Sequence, residues 1–125
     1  MTAKTPAELA GHAADAVHSL NHIALDRPGI EGWQYPGDAY STVANLTALA
    51  GYLPQAIGQL DAFIGALEDT GRLRSDKGPG DLPHRLLSFH GAAADAIRQA
   101  LALRDALDRA HQALGPVGYD DRDEV

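Results

Sequence analysis

Two long stretches of the sequence carry apolar residues in a heptad pattern, which constrains the fold more than any other feature of the chain. In each stretch two rows of apolar residues recur every seven positions, and we call them the a row and the d row. The a rows are Val43, Ala50, Ile57 and Ile64, and then Leu86, Ala93, Ala100, Leu107 and Leu114. The d rows are Leu46, Leu53, Leu60 and Leu67, and then Leu82, Phe89, Ala96, Leu103 and Ala110. Rows of this spacing are typical of helices that pack along their whole length, so the sequence predicts two long packed helices.

These two helices are predicted to form an antiparallel hairpin. The link between them, residues 71–80 (GRLRSDKGPG), is short, and short links join antiparallel neighbours. Folding the chain at this link pairs Leu60 with Phe89 and Ile57 with Ala93. In the second of these pairs a large side chain faces a small one, as interdigitated packing requires.

A shorter helix is predicted before the hairpin. Thr5 and Glu8 have the spacing of a capping box, and Pro6 suits the first helical position. The helix is expected to run over about residues 6–25 and to end before Pro28.

The hairpin helices have their own start and stop signals. Asp38 is predicted to be the N-cap of a helix over about residues 39–70, and Gly71 its C-terminal stop. Asp81 is predicted to cap a helix over about residues 82–114. No segment of the sequence alternates apolar and polar residues as strands do.

The fold class predicted from these elements is all-α, with a three-helix bundle per chain. We expect a single domain over residues 1–125, with flexible termini at residues 1–4 and 116–125. Pro54 lies inside the second helix, where a proline usually produces a kink. Because the heptad phase is the same on both sides of Pro54, we expect one kinked helix; a break near residues 51–54 is the alternative.

The lengths of the helices predict an oligomer. At 1.5 Å per residue the two long helices span about 45–50 Å each, whereas the first helix spans only about 30 Å. A short helix cannot cover the whole hairpin, and exposed apolar surface usually marks an interface. We therefore expect a homodimer.

Aromatic residues cluster in the connector between the first two helices, GIEGWQYPGDAY. This segment holds Trp33, the one tryptophan of the chain, together with Tyr35 and Tyr40. Such rings have a large apolar body and a polar tip. With Val43 and Leu46, they are predicted to form an interface or partner-binding surface, either by covering the uncovered end of the hairpin or by completing the dimer. A ligand pocket is the alternative.

Composition excludes several classes of function. The chain has no cysteine, so disulfides, thiolate metal sites and cysteine catalysis are excluded. Its net charge of −7 argues against a nucleic-acid partner, because nucleic-acid binders carry basic patches. No apolar run is long enough to span a membrane, and the N-terminal residues do not resemble a secretory signal.

Two patterns could carry chemistry. Asp15, His18 and His22 follow one another at one-turn spacing on the first helix, and a carboxylate with two imidazoles can bind zinc or iron. They lie opposite the apolar face of that helix, so a solvent-exposed polar face is the simpler interpretation. Arg85 and His90, in RLLSFH, have the Arg-x4-His spacing. This spacing resembles the short signature of the HEPN nucleases, which are dimeric all-helical proteins. The resemblance implies metal-independent RNA cleavage, with the histidine near the dimer axis.

The sequence thus favours an acidic, non-catalytic helical protein that acts through protein–protein interaction or assembly, as a homodimer, without a cofactor. A cytoplasmic location is expected, and the Ala-, Gly-, Asp- and Arg-rich composition suggests a bacterial source. The alternative is a small helical-bundle enzyme that binds a metal through Asp15, His18 and His22 or cleaves RNA through Arg85 and His90.

Overall fold

The computed structural model describes residues 4–26 and 32–121, and within these ranges its regular elements are three helices. Helix α1 spans Pro6–Asp26, α2 spans Pro36–Asp69 and α3 spans Leu82–Leu114. Strands are absent from the described ranges, and the prediction of an all-α fold is confirmed. The helix over residues 82–114 has the predicted bounds, and the other two differ from the predicted bounds by at most three residues.

The chain divides into two compact units. One unit is Met1–Ala39 with Val117–Val125, and the other is Tyr40–Pro116, which contains most of α2 and all of α3. Within the second unit the two long helices pack against each other as the predicted antiparallel hairpin. The single domain over residues 1–125 stays a prediction.

Helix α1 begins at the predicted cap. The backbone N–H of Glu8 donates to Thr5 Oγ1 at 3.1 Å, and the Thr5 hydroxyl donates to Glu8 Oε1 at 3.2 Å. The side chain of Thr5 thereby satisfies one of the backbone donors that the first helical turn leaves without a partner.

The start of α2 corrects one prediction. The helix begins at Pro36, so Asp38 lies in the first turn and is not the N-cap. Proline has no backbone N–H and a fixed φ angle, which suits the first helical position. The Asp38 carboxylate instead accepts hydrogen bonds from the backbone N–H groups of Tyr35 at 2.9 Å and Gln34 at 3.0 Å. These two bonds, that of Tyr35 first, lower the pKa of Asp38 below its ordinary value.

The C-terminal end of α2 is at the predicted glycine. Gly71 has a φ of 68°, which a residue with a Cβ rarely adopts. Its N–H donates to the Glu68 carbonyl and the N–H of Arg72 donates to the Leu67 carbonyl, both at 3.0 Å. This pair of bonds is the Schellman motif, so Gly71 ends the helix as predicted.

Helix α2 is continuous through Pro54. The prediction of one helix is confirmed, and the alternative of a break near residues 51–54 is wrong. Pro54 itself is half-buried, on the side of α2 that packs toward α3.

The centre of the hairpin consists of a-row alanines. Among the described residues the buried hydrophobic side chains are Ala50, Ala93 and Ala100, with exposures of 0%, 8% and 6%. Small side chains let the two helix backbones approach closely. The hairpin core therefore follows the a rows, as the heptad pattern predicts.

The d rows do not complete this core. Leu53, Leu60 and Leu103 are exposed, whereas residues four positions after an a-row residue, such as Pro54, Asp61, His90, Ile97 and Arg104, are half-buried. On a straight helix, a residue four positions along is rotated by about 40°, and one three positions along by about 60° in the opposite direction. The helices close on the first of these rows. The predicted register holds, because the observed pair of Asp61 and His90 is next to the predicted pair of Leu60 and Phe89.

Candidate interaction surface

Two residues of the α2 d row, Leu53 and Leu60, belong to a stripe of apolar side chains that faces solvent. We call the following residues the outer stripe: Leu49, Leu53, Ala56, Leu60 and Phe63. Their spacing of three or four residues places them on one face of the helix. Leu60 and Phe63 are 53% and 58% exposed, values that large apolar side chains of a packed core do not have.

Charge is nearly absent from this part of the chain. Between Asp38 and Glu68 the sequence has one charged residue, Asp61, and this carboxylate contacts His90 of α3. The outer stripe therefore has no charged members, and the charged residue next to it at its C-terminal end is Arg72, which lines a depression together with Phe63. A contiguous apolar and uncharged face on the surface of a protein usually marks a contact with another molecule.

Helix α3 extends this face. The contact between Asp61 and His90 lies on one side of the a-row core, so the d rows of both antiparallel helices lie on the other side. Leu103 of the α3 d row is 50% exposed, and Phe89 is half-buried. Leu60 and Leu103 thus belong to one apolar face. We call this face the d face, and it consists of the d rows of α2 and α3.

His90 bridges α3 to two acidic residues of α2. Its Nδ1 is 2.5 Å from Asp61 Oδ1, and its Nε2 is 2.9 Å from Glu68 Oε1. An ionised carboxylate can only accept hydrogen bonds, so these two contacts favour the protonated imidazole, in which both ring nitrogens donate. The bonds to Asp61 and then to Glu68 raise the pKa of His90 above its ordinary value.

Two further contacts join the helices on the same side as this bridge. The rings of Tyr40 and His111 stack with their centroids 4.0 Å apart. The side chain of Arg104 passes over Gly51, so that a Cβ at Gly51 would lie 3.4 Å from Arg104 Cδ. Arg104 packs through its aliphatic part, as long charged side chains do beside small residues. This side of the hairpin is closed by polar and aromatic groups, in contrast to the d face.

The five residues predicted to bind a partner lie in both compact units. Trp33 and Tyr35 are in the first unit and are half exposed, and Tyr35 makes an edge-to-face contact with Tyr119 at 5.2 Å between centroids. Tyr40, Val43 and Leu46 are in the second unit, where Val43 and Leu46 are half-buried. That Trp33 and Tyr35 cover the hairpin or complete a dimer stays a prediction.

The sequence does not predict the contact of Tyr119. This residue follows the last helix in a segment predicted to be flexible, and the only local signal for packing is its aromatic ring. The heptad pattern does not reveal the outer stripe, because it places Leu53 and Leu60 in the core of the hairpin.

The two histidines of α1 that were predicted as weak metal-ligand candidates contact each other. The rings of His18 and His22 stack at 6.1 Å between centroids. Within residues 4–26 and 32–121, there is no group of three histidine, aspartate or glutamate side chains that could hold a metal ion.

Arg85 and His90 have separate partners. The Arg85 Nε donates to Asp81 Oδ2 at 2.7 Å, and this bond, followed by one from Ser75, lowers the pKa of Asp81. Asp81 occupies the N-cap position of α3 as predicted, but its side chain makes no capping bond. Because both ring nitrogens of His90 are engaged by carboxylates, neither is free to take a proton from a ribose hydroxyl.

A depression of about 510 Å³ lies at the C-terminal end of α2. It is lined by Phe63, Ala66, Leu67, Thr70 and Arg72. The depression is open to solvent and mostly apolar, whereas small-molecule sites are enclosed and contain several converging polar groups. It continues the outer stripe, since Phe63 belongs to both.

No protein-family model, curated protein or solved structure matches the chain. Among the described helices, none is both long enough and apolar enough to cross a membrane. The geometry of the hairpin is therefore what bears on the function.

Proposed function

We propose that this chain is a non-catalytic helical protein that acts through protein–protein interaction or assembly, and that it forms a homodimer. The observation that carries the proposal is the outer stripe, an uncharged row of exposed large apolar side chains on α2. Such a surface costs free energy in water, and a protein contact removes that cost.

The composition of the hairpin core supports the proposal. Among the described residues no large side chain is fully buried, and the buried positions are alanines. An alanine contributes little apolar area, whereas burial of a leucine or phenylalanine contributes about 1.5–3 kcal/mol. The side chains that could contribute most, such as Leu60 and Phe63, are exposed in the single chain. A contact that covers them would supply the hydrophobic stabilisation that the chain lacks alone.

The contacts of the chemically versatile residues also favour a role without catalysis. His90 is held between two carboxylates, and Arg85 is bound to Asp81. Both pairs stabilise the hairpin or the start of α3. If the chain nevertheless cleaved RNA as the HEPN resemblance implies, His90→Ala would abolish the cleavage. We expect no difference between His90→Ala and the wild-type protein in an RNA degradation assay.

Sedimentation equilibrium of the wild-type chain at micromolar concentration tests the assembly. We expect a species of twice the chain mass, in a monomer–dimer equilibrium that shifts toward monomer on dilution. A single species of monomer mass across the whole concentration range would contradict the proposed homodimer.

A further inference from the structure

We infer that a second copy of the chain covers the outer stripe, in an antiparallel and two-fold symmetric contact between α2 helices centred on Ala56. This inference rests on the proposed function, and it identifies the surface and the geometry through which the homodimer forms.

The size of the side chains along the outer stripe is symmetric about its centre. Ala56 is the small central residue, Leu53 and Leu60 lie three and four residues away, and Leu49 and Phe63 lie seven residues away. A two-fold axis through Ala56 brings Leu53 beside Leu60 of the second copy, and Leu49 beside Phe63. The small residue at the axis allows the helices to approach, and the large residues fill the space on either side. A self-complementary stripe is what a two-fold interface requires, because the same patch is used twice.

The charges at the two ends of α2 select the antiparallel orientation. Glu68 and Asp69 lie at the C-terminal end and Asp38 lies in the first turn, whereas residues 39–60 have no charged side chain. In an antiparallel contact, the acidic end of one helix lies beside the uncharged half of the other. A parallel contact would place the two acidic ends together, and like charges at short distance are repulsive. The helix dipoles also favour the antiparallel arrangement.

The absence of charge on the outer stripe also indicates which occupant it fits. The chain as a whole carries a net charge of −7, so two copies repel each other wherever their acidic surfaces meet. The outer stripe is a face through which they can meet without such repulsion. A basic partner would find no acidic group there with which to pair. The surface that matches an uncharged leucine-rich stripe is a second stripe of the same kind.

The size of the d face suits a dimer. From Leu46 to Leu67 it extends for about 32 Å, at 1.5 Å per residue. Together α2 and α3 make it about 20 Å wide, since one helix is about 10 Å across. The resulting area is roughly 600 Å² per chain, near the value of about 800 Å² per partner that is usual for a stable interface.

Single-cysteine variants test this geometry, because the natural chain has no cysteine. Ala56→Cys is expected to form a disulfide-linked dimer with oxidised glutathione, since the residues at a two-fold axis face one another. Leu67→Cys is expected to remain unlinked alone but to link with Leu46→Cys when the two variants are mixed. The control is Ala94→Cys, an exposed residue of α3 outside the d face, which should remain unlinked. All variants are compared with the wild type by circular dichroism and sedimentation equilibrium.

The possible outcomes separate this inference from the proposed function. A wild-type dimer with the expected linking pattern supports both. A wild-type dimer in which Ala56→Cys stays unlinked, or in which Leu67→Cys links to itself, overturns the geometry inferred here and leaves the homodimer intact. A wild-type monomer overturns both, and the outer stripe would then be a binding surface for a different protein.

Discussion

The alanine core of the hairpin predicts that adding volume at Ala50 is destabilising. Ala50 is fully buried, at 0% exposure, so the three additional carbon atoms of a leucine have no free space. Inserting methylene groups into a packed core typically costs about 1–3 kcal/mol, because side chains or backbones must move. At about 4 °C per kcal/mol for a chain of this size, Ala50→Leu should lower the melting temperature by about 4–12 °C.

Ala48→Leu is the matched control for this prediction. Ala48 is exposed, two residues away in the same helix, and the substitution is identical. Leucine and alanine differ little in helix propensity, so Ala48→Leu should change stability by less than about 0.5 kcal/mol. The comparison therefore isolates the effect of burial from the effect of the residue type.

Thermal unfolding followed by circular dichroism at 222 nm measures the difference, at one fixed protein concentration. Urea unfolding of the same variants supplies the free energy of unfolding independently. Equal melting temperatures for Ala50→Leu and the wild type would refute the close packing of the hairpin at its a rows. Equal destabilisation by Ala48→Leu and Ala50→Leu would show that the effect does not come from burial.

Other consequences of the structure can be measured directly. Leu60→Asp, in the outer stripe, should weaken dimerisation by at least tenfold in sedimentation equilibrium, because it places a charge in an apolar contact; Leu87→Asp, at a 71% exposed leucine outside the d face, should leave it unchanged. The pKa of His90 is raised in the folded protein. Its bridge therefore stabilises the fold fully at a pH below the pKa of the unfolded state, about 6.5, as long as its carboxylate partners are ionised. This stabilisation is lost as the pH rises through the pKa of the folded state. The melting temperature should therefore fall more between pH 6 and pH 9 for the wild type than for His90→Ala, and identical pH profiles would contradict the bridge. Metal analysis after incubation with zinc should give the same metal content for the wild type and His18→Ala. A loss of bound zinc in the variant would instead support a metal site on α1.

Local signals in the sequence predicted most of the helix ends correctly. The signals at Thr5 with Glu8 and at Gly71 act through hydrogen bonds between residues at most five positions apart. Such bonds depend little on the rest of the chain, so their residue types suffice to recognise them. Asp38 is the exception, because Pro36 and Asp38 are both start signals and the sequence does not say which of them precedes the first turn.

The sequence does not predict which of the two rows beside the a row packs between the helices. The d row of α2 consists of leucines, whereas the row on the other side contains Thr47, Pro54 and Asp61. Apolar content therefore favoured the d row. The structure buries the other row, since His90 and Arg104 of α3 supply partners there for Asp61 and Gly51. A cross-helix hydrogen bond joins residues far apart in sequence, and no local pattern reports it.

The amino-acid sequence alone predicts that the chain forms long helices, where most of them begin and end, and that two of them pair antiparallel along their a rows. These properties follow from helical periodicity, capping and a short link, each of which acts over a few residues. Which side of the hairpin is closed and which is left open becomes apparent in the three-dimensional fold, where contacts between α2 and α3 close one side. The two rows beside the a row differ in their rotation about the helix axis, by about 40° in one direction and about 60° in the other, and polar pairs between the helices select the first row. As a result, Leu53 and Leu60 of the α2 d row are exposed, and they belong to the surface on which the proposed function rests.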